Sequence, residues 1–145
     1  MLSSSGMDKI LRWSKERMLM FRSWGRIAYS LDVFTPRLFF KEREVWSCQL
    51  GMNTGDEQMG VGNEFLRPVI VMRKFSSHLC WVIPLTRTIK YTSYYFIFCF
   101  KDNERSAAIL TQLRLIDAQR FHHRMGSASK EDFRMIKEKL KELLP

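Results

Sequence analysis

The feature that most constrains this chain is a change of period at Glu44. From there five runs follow one another with no helical spacing between them: 44–50 EVWSCQL, 68–73 PVIVMR, 79–85 LCWVIPL, 94–100 YYFIFCF and 108–115 AILTQLRL. They are rich in valine, isoleucine, tyrosine and phenylalanine and are separated by turn residues, so each reads as a strand. Short strands in succession, without helices between them, predict a mainly β chain whose antiparallel sheet curls into a small barrel. Pro84 falls inside one run and predicts an edge or a bulge at its end.

Helices flank this β region. Residues 8–24, DKILRWSKERMLMFRSW, space Ile10, Leu11, Trp13, Met18, Phe21 and Trp24 at roughly helical intervals among lysines and arginines. The spacing predicts a basic amphipathic helix. Such a helix can lie on nucleic acid or on an anionic membrane surface. We expect it instead to pack its aromatic face on its own domain. Residues 30–44 read as an irregular connector broken at Thr35-Pro36. At the other end Ser129 is a suitable N-cap, Glu131 and Asp132 occupy a first turn, and Lys137, Lys139 and Lys141 lie toward the end. Phe133, Ile136, Leu140 and Leu143 then form one apolar packing stripe. The organisation is thus an N-terminal helical extension over 1–43 and an α+β barrel domain over 44–145.

Composition narrows the function classes. The chain of 145 residues is the size of one domain, and 46% hydrophobic with 27% charged residues is a globular composition. No stretch approaches the ~18 uninterrupted apolar residues of a membrane span, and the N-terminus lacks the apolar core of a secretory signal. Twenty-four basic against 15 acidic residues give a net charge of +9, which favours a polyanionic partner. The excess is spread, at +4 over 1–44, +2 over 45–100 and +3 over 101–145. Cys48, Cys80 and Cys99 are widely spaced, odd in number and each set in an apolar run. They read as buried free thiols of a reducing cytoplasm, with no metal-ligand spacing to His122-His123. A nucleophile elbow and a P-loop are both missing, so serine hydrolase and nucleotide-phosphate chemistry have no motif to rest on.

What remains is a junction. The stretch TGDEQMGVGNEFLRPVIVM runs a polar, glycine-containing loop into Arg67-Pro68 and then into an apolar strand. Two consecutive antiparallel strands set the start of the first beside the end of the second, so Arg67 should neighbour Thr86. The 51–66 loop, with Glu57 and Glu64, should cover both. An arginine fork, a hydroxyl and a carboxylate under a mobile loop suit a phosphodiester. A structural Arg–Glu pair that ties the loop down accounts for the same residues.

The runs EVWSCQL, GDEQ, RPVIVM, VIPLT and QLRLID-x-x-R, in this order, resemble the MazF/PemK toxins of bacterial toxin–antitoxin pairs over roughly residues 44–144. The resemblance implies a small SH3-like barrel, a homodimer, and metal-independent, cofactor-free cleavage of single-stranded RNA at short motifs. It implies as partners that RNA and a cognate antitoxin, with no membrane. By that resemblance the catalytic residues are Arg67, which matches the family's essential arginine, Thr86, which matches its threonine, and Glu57, the glutamate of its G-x-E-Q loop and the candidate base. A loop longer than in compact members makes Glu64 the other choice of acid. By the same resemblance Gln58, Glu64, Phe65, Gln112 and Arg114 would contact RNA, Phe65 by stacking a base. Thr111 stands where many members carry an acid before the glutamine, so no base can act from there. The alternative is a non-catalytic barrel of the same superfamily that binds RNA or inhibits a protein such as gyrase.

Overall fold

The structure is a computed structural model that describes residues 3–145. Helix α1 spans Ser4–Phe34, and strands β1 (Glu44–Gln49), β2 (Leu66–Lys74), β3 (Leu79–Thr86), β4 (Tyr95–Cys99) and β5 (Arg105–Ile109) follow. Then come β6 (Arg114–Asp117), β7 (Phe121–Ser127) and helix α2 (Lys130–Glu142). Seven strands form one sheet in the order β4-β5-β3-β2-β1-β7, with β6 paired to β3 off that path. Every pairing is antiparallel. The result is the open, barrel-like sheet that consecutive short strands imply, with a helix at each end of the chain.

Strand β2 explains its own unbroken apolar run. Ile70 and Met72 enter one core cluster while Val69 and Val71 enter another, so both faces of the strand are buried. The first cluster is closed by α2, whose Phe133 and Ile136 are buried and whose Leu140 and Leu143 pack beside them. That is the predicted stripe, and Ser129 caps the helix by accepting from the Asp132 N–H at 3.0 Å. Each such buried side chain contributes roughly 1.5–3 kcal/mol relative to exposure. The second cluster is closed by Phe40 of the connector and by Phe121, whose rings meet edge to face at 5.2 Å.

Two expectations change, and one strand is additional. The 108–115 run is two strands, because β3 has two partners on that side. Leu79 to Val82 pair with β6, whereas Leu85 and Thr86 pair with β5. The chain steps from one partner to the other through a short 3-10 turn at Leu110–Gln112. Pro84 lies in the gap between the two pairings, buried and opposite Val69, rather than at an edge. It has no N–H to donate, and it falls where β3 is paired to neither β5 nor β6. Strand β7 has no alternating signal, since it is an edge strand whose His122, His123 and Arg124 face solvent.

The N-terminal helix is longer than 8–24, at 31 residues, and none of them is buried. Leu11, Trp13, Tyr29 and Phe34 are each more than half exposed. The expected packing of its aromatic face is thus partial and centres on Trp24. Thr35-Pro36 does end the helix. Beyond it Arg37 donates from Nε and Nη2 to the two oxygens of Asp117, both at 2.9 Å.

Cys48 and Cys80 are buried free thiols as expected, but Cys99 is exposed on edge strand β4. Burial pushes the Cys48 and Cys80 thiols up to about 12. Brief alkylation of the native protein should therefore add one adduct, at Cys99, by peptide mass mapping. Rapid modification of all three would contradict this packing. The Arg37 guanidinium, chiefly by hydrogen bonding, holds the Asp117 carboxyl below its ordinary value. A depressed carboxylate stabilises the fold above its unfolded value and loses that contribution as pH falls. The melting temperature of Arg37→Ala should lie below that of the wild type at neutral pH, and the gap should close below about pH 4.

Candidate functional site

Arg67 is the second residue of β2 and Thr86 the last of β3. The register pairs Val69 with Pro84, which brings the start of β2 beside the end of β3, and Arg67 reaches the carbonyl of Leu85, the residue before Thr86. Arg67 and Thr86 both line one cavity of about 550 Å³, walled by Val61, Leu85, Phe100 and Met125 and rimmed by the charged residues Arg87, Lys101, Asp102 and Glu104.

The arginine is half-buried and fixed by main-chain oxygens. Its Nε donates to the Met59 carbonyl at 2.6 Å and its Nη1 to the Leu85 carbonyl at 3.3 Å. Burial lowers its pKa, yet a guanidinium stays cationic at any physiological pH. Among the described residues no carboxylate forms an ion pair with it. The structural Arg–Glu pair is therefore not what holds this loop. Two of the five guanidinium N–H groups are spent on these carbonyls, which leaves three for a ligand. The Thr86 hydroxyl accepts from the Thr88 N–H at 3.1 Å, so its own proton is free to donate.

Glu57 and Gln58 lie in a neighbouring recess of about 470 Å³, together with Asn53, Thr111, Gln112 and Arg114. Glu57 is exposed, and its carboxylate accepts from the Thr54 N–H at 2.8 Å to close a turn. Gln112 clips the loop: its Oε1 accepts from the Gln58 N–H, and its Nε2 donates to the Asp56 carbonyl, both at 3.3 Å. Asn53 Nδ2 donates to the Gln58 carbonyl at 2.7 Å. Met59, next in the chain, carries the carbonyl that holds Arg67, and so joins the two recesses.

The remaining expected residues separate. Glu64 is exposed and lines neither recess, and only its carbonyl is engaged, by Gln49 Nε2 at 3.3 Å. Phe65 is 4% exposed, with its ring 5.6 Å from that of Trp24. No face of Phe65 is available to a base, so the stacking role does not hold. Its φ of +53° is a left-handed value that a bulky side chain adopts at a cost of roughly 1–3 kcal/mol. Gly51, at φ +76°, sits beneath Trp24, where a Cβ would overlap the indole.

Arg87 and Lys101 are cavity residues that the motifs did not single out. Arg87 follows Thr86 directly, which was the one signal available. Lys101 comes from the β4–β5 turn and has no sequence signature. Among the described residues no three His, Cys, Asp or Glu side chains are grouped to share a metal ion.

The model of the PemK-like, MazF-like toxins of type II toxin–antitoxin systems matches residues 41–144. The chain belongs to this family. Solved structures of similar fold include MazF from Deinococcus radiodurans, at 16% identity and a TM-score of 0.56, covering 76% of this chain and 96% of that one. The Mycobacterium tuberculosis toxin MazF-mt6 is 14% identical with a TM-score of 0.53, over 69% and 94% of the two chains. A mycobacterial endoribonuclease in complex with its cognate antitoxin is 13% identical with a TM-score of 0.56, over 72% and 95%. No curated protein matches the sequence. Within this PemK-like toxin, helix α1 lies wholly outside the matched segment.

The Gln112 clip can be tested apart from any activity. Gln112→Ala removes two side-chain hydrogen bonds on the loop, worth about 1 kcal/mol together. Amide exchange over residues 54–59 should accelerate roughly fivefold with little change in melting temperature. Unchanged exchange there would show that the clip does not hold the loop.

Proposed function

We propose that this toxin is a metal-independent, sequence-specific endoribonuclease that cuts single-stranded RNA to 2′,3′-cyclic phosphate and 5′-OH ends. The observation that carries the proposal is the pairing of three unspent Arg67 N–H groups with the free Thr86 proton at one cavity. The 2′-oxygen attacks the adjacent phosphorus, the P–O5′ bond breaks, the 2′ proton leaves and the 5′-oxygen takes one up. Arg67 neutralises charge on the phosphorane and orients it, and Thr86 donates to a non-bridging oxygen. Both groups stabilise charge that grows in the transition state, which is where binding accelerates a reaction.

Glu57, one recess away and tied to Thr54, is better suited to a flanking nucleotide than to the transferred proton. Gln58, Gln112 and Arg114 share that recess and can read base edges or phosphates. Arg87 and Lys101 extend the cationic rim for the RNA backbone. The net charge of +9 supports a polyanionic substrate. We propose further that a cognate antitoxin fills the same groove with an acidic or apolar tail, acting on a homodimer in the cytoplasm; the net charge favours an acidic one.

The decisive experiment incubates the purified protein with a long RNA in EDTA and maps the ends. Discrete fragments ending in cyclic phosphate are expected, and Arg67→Ala should slow cleavage by about 10²–10³-fold with the fold intact by circular dichroism. Wild-type cutting by Arg67→Ala would remove the site assignment. No cutting at all, with tight binding to RNA or gyrase, would favour a non-catalytic barrel.

A further inference from the structure

Helix α1 has no buried residue and adds little to the core, yet several of its side chains touch the loop that leads into Arg67. Arg17 donates from Nη2 to the Asn53 carbonyl at 3.5 Å and from Nη1 to the Met59 sulfur at 3.6 Å. Its guanidinium is itself held over the rings of Trp13 and Phe21, at 5.5 and 5.7 Å. Two turns further along, Trp24 covers Gly51 at the start of the loop and meets Phe65 at its end. The other flank of Trp24 is fixed by Arg120, 5.6 Å from the ring. Arg120 in turn donates to the Gln49 and Leu50 carbonyls at 3.0 and 3.3 Å.

Two lines of contact therefore run from the helix to Arg67. One passes through Met59, whose sulfur meets Arg17 and whose carbonyl holds Arg67 Nε at 2.6 Å. The other passes through Phe65, which stands two residues before Arg67 in a left-handed conformation and is packed under Trp24. A strained backbone persists only where its surroundings over-determine it. Here the surroundings include a side chain from outside the barrel. The helix is secured for this role at its C-terminal end, where Gln119 Nε2 donates to the Asp32 and Thr35 carbonyls at 3.2 and 3.0 Å.

We propose that α1 is a brace for the site loop, and that Trp24 and Arg17 are positioning residues that set Arg67 against Thr86. The proposal rests on the reading of that pair as the RNA-cleaving site. It assigns a role to the segment outside the matched family region: the extension holds the 51–66 loop in its closed geometry from behind.

The test uses the full chain and two readouts, amide exchange of residues 52–66 and steady-state cleavage of a short RNA carrying one cut site. Trp24→Ala should accelerate exchange in the loop by about tenfold and lower kcat by about 10- to 100-fold with KM little changed. Trp24→Phe, which keeps a ring over Phe65, should recover most of both. Arg17→Ala, outside both core clusters, should act in the same direction without threatening the fold. Tyr29→Ala, on the same helix and 65% exposed, should change neither readout. Unchanged loop exchange in both Trp24→Ala and Arg17→Ala would overturn the brace. So would faster exchange spread evenly over β1 to β3, which is plain loss of stability, or a loosened loop with kcat intact. If the wild type cuts no RNA, the endoribonuclease reading fails on its own, and loop exchange still decides whether the helix braces the loop.

Discussion

The architecture depends on what β3 does at Pro84. A strand within a sheet normally keeps one neighbour on each side, but β3 keeps β2 on one side and divides the other between β6 and β5. A proline, which carries no backbone donor, stands at the division. The split obliges the sheet to curl, because β5 and β6 leave the same strand in different directions. It also carries Thr86 past the division, to the end where β2 begins. The cavity at Arg67 lies at that end.

Much of this was legible in the sequence, and the exceptions share a cause. The apolar runs rich in β-branched and aromatic residues, the absence of helical spacing between strands and the capped, striped C-terminal helix are local signals, and they correspond to observed elements. The 108–115 run failed as a single strand because nothing local marks a change of partner. Strand β7 escaped notice because an edge strand with exposed His122, His123 and Arg124 carries no alternation. For the site, Arg67 beside Thr86 followed from chain direction alone. Lys101 and the role of Met59 did not, since they depend on which turn and which carbonyl happen to face the arginine.

Phe65 shows the limit of reading residue type. An aromatic in a loop beside a basic position suggests a platform for a base, and composition cannot say that the ring is already covered. Trp24, 41 positions earlier in the chain, covers it. Equally, the apolar residues of the first helix predicted burial, whereas one helix face against a small barrel can cover only a few of them. A segment of 31 residues at 1.5 Å each spans about 46 Å, longer than such a barrel is wide.

Arg67 is anchored by the main-chain oxygens of Met59 and Leu85, not by a partner side chain. A carbonyl is supplied by every residue type, so the orientation of the guanidinium does not depend on the chemistry of its anchors. Substitutions at those two positions can accumulate while the donor geometry persists, provided the backbone path is kept. A fold built in this way can diverge far in sequence and still present the same cation at the same point in space.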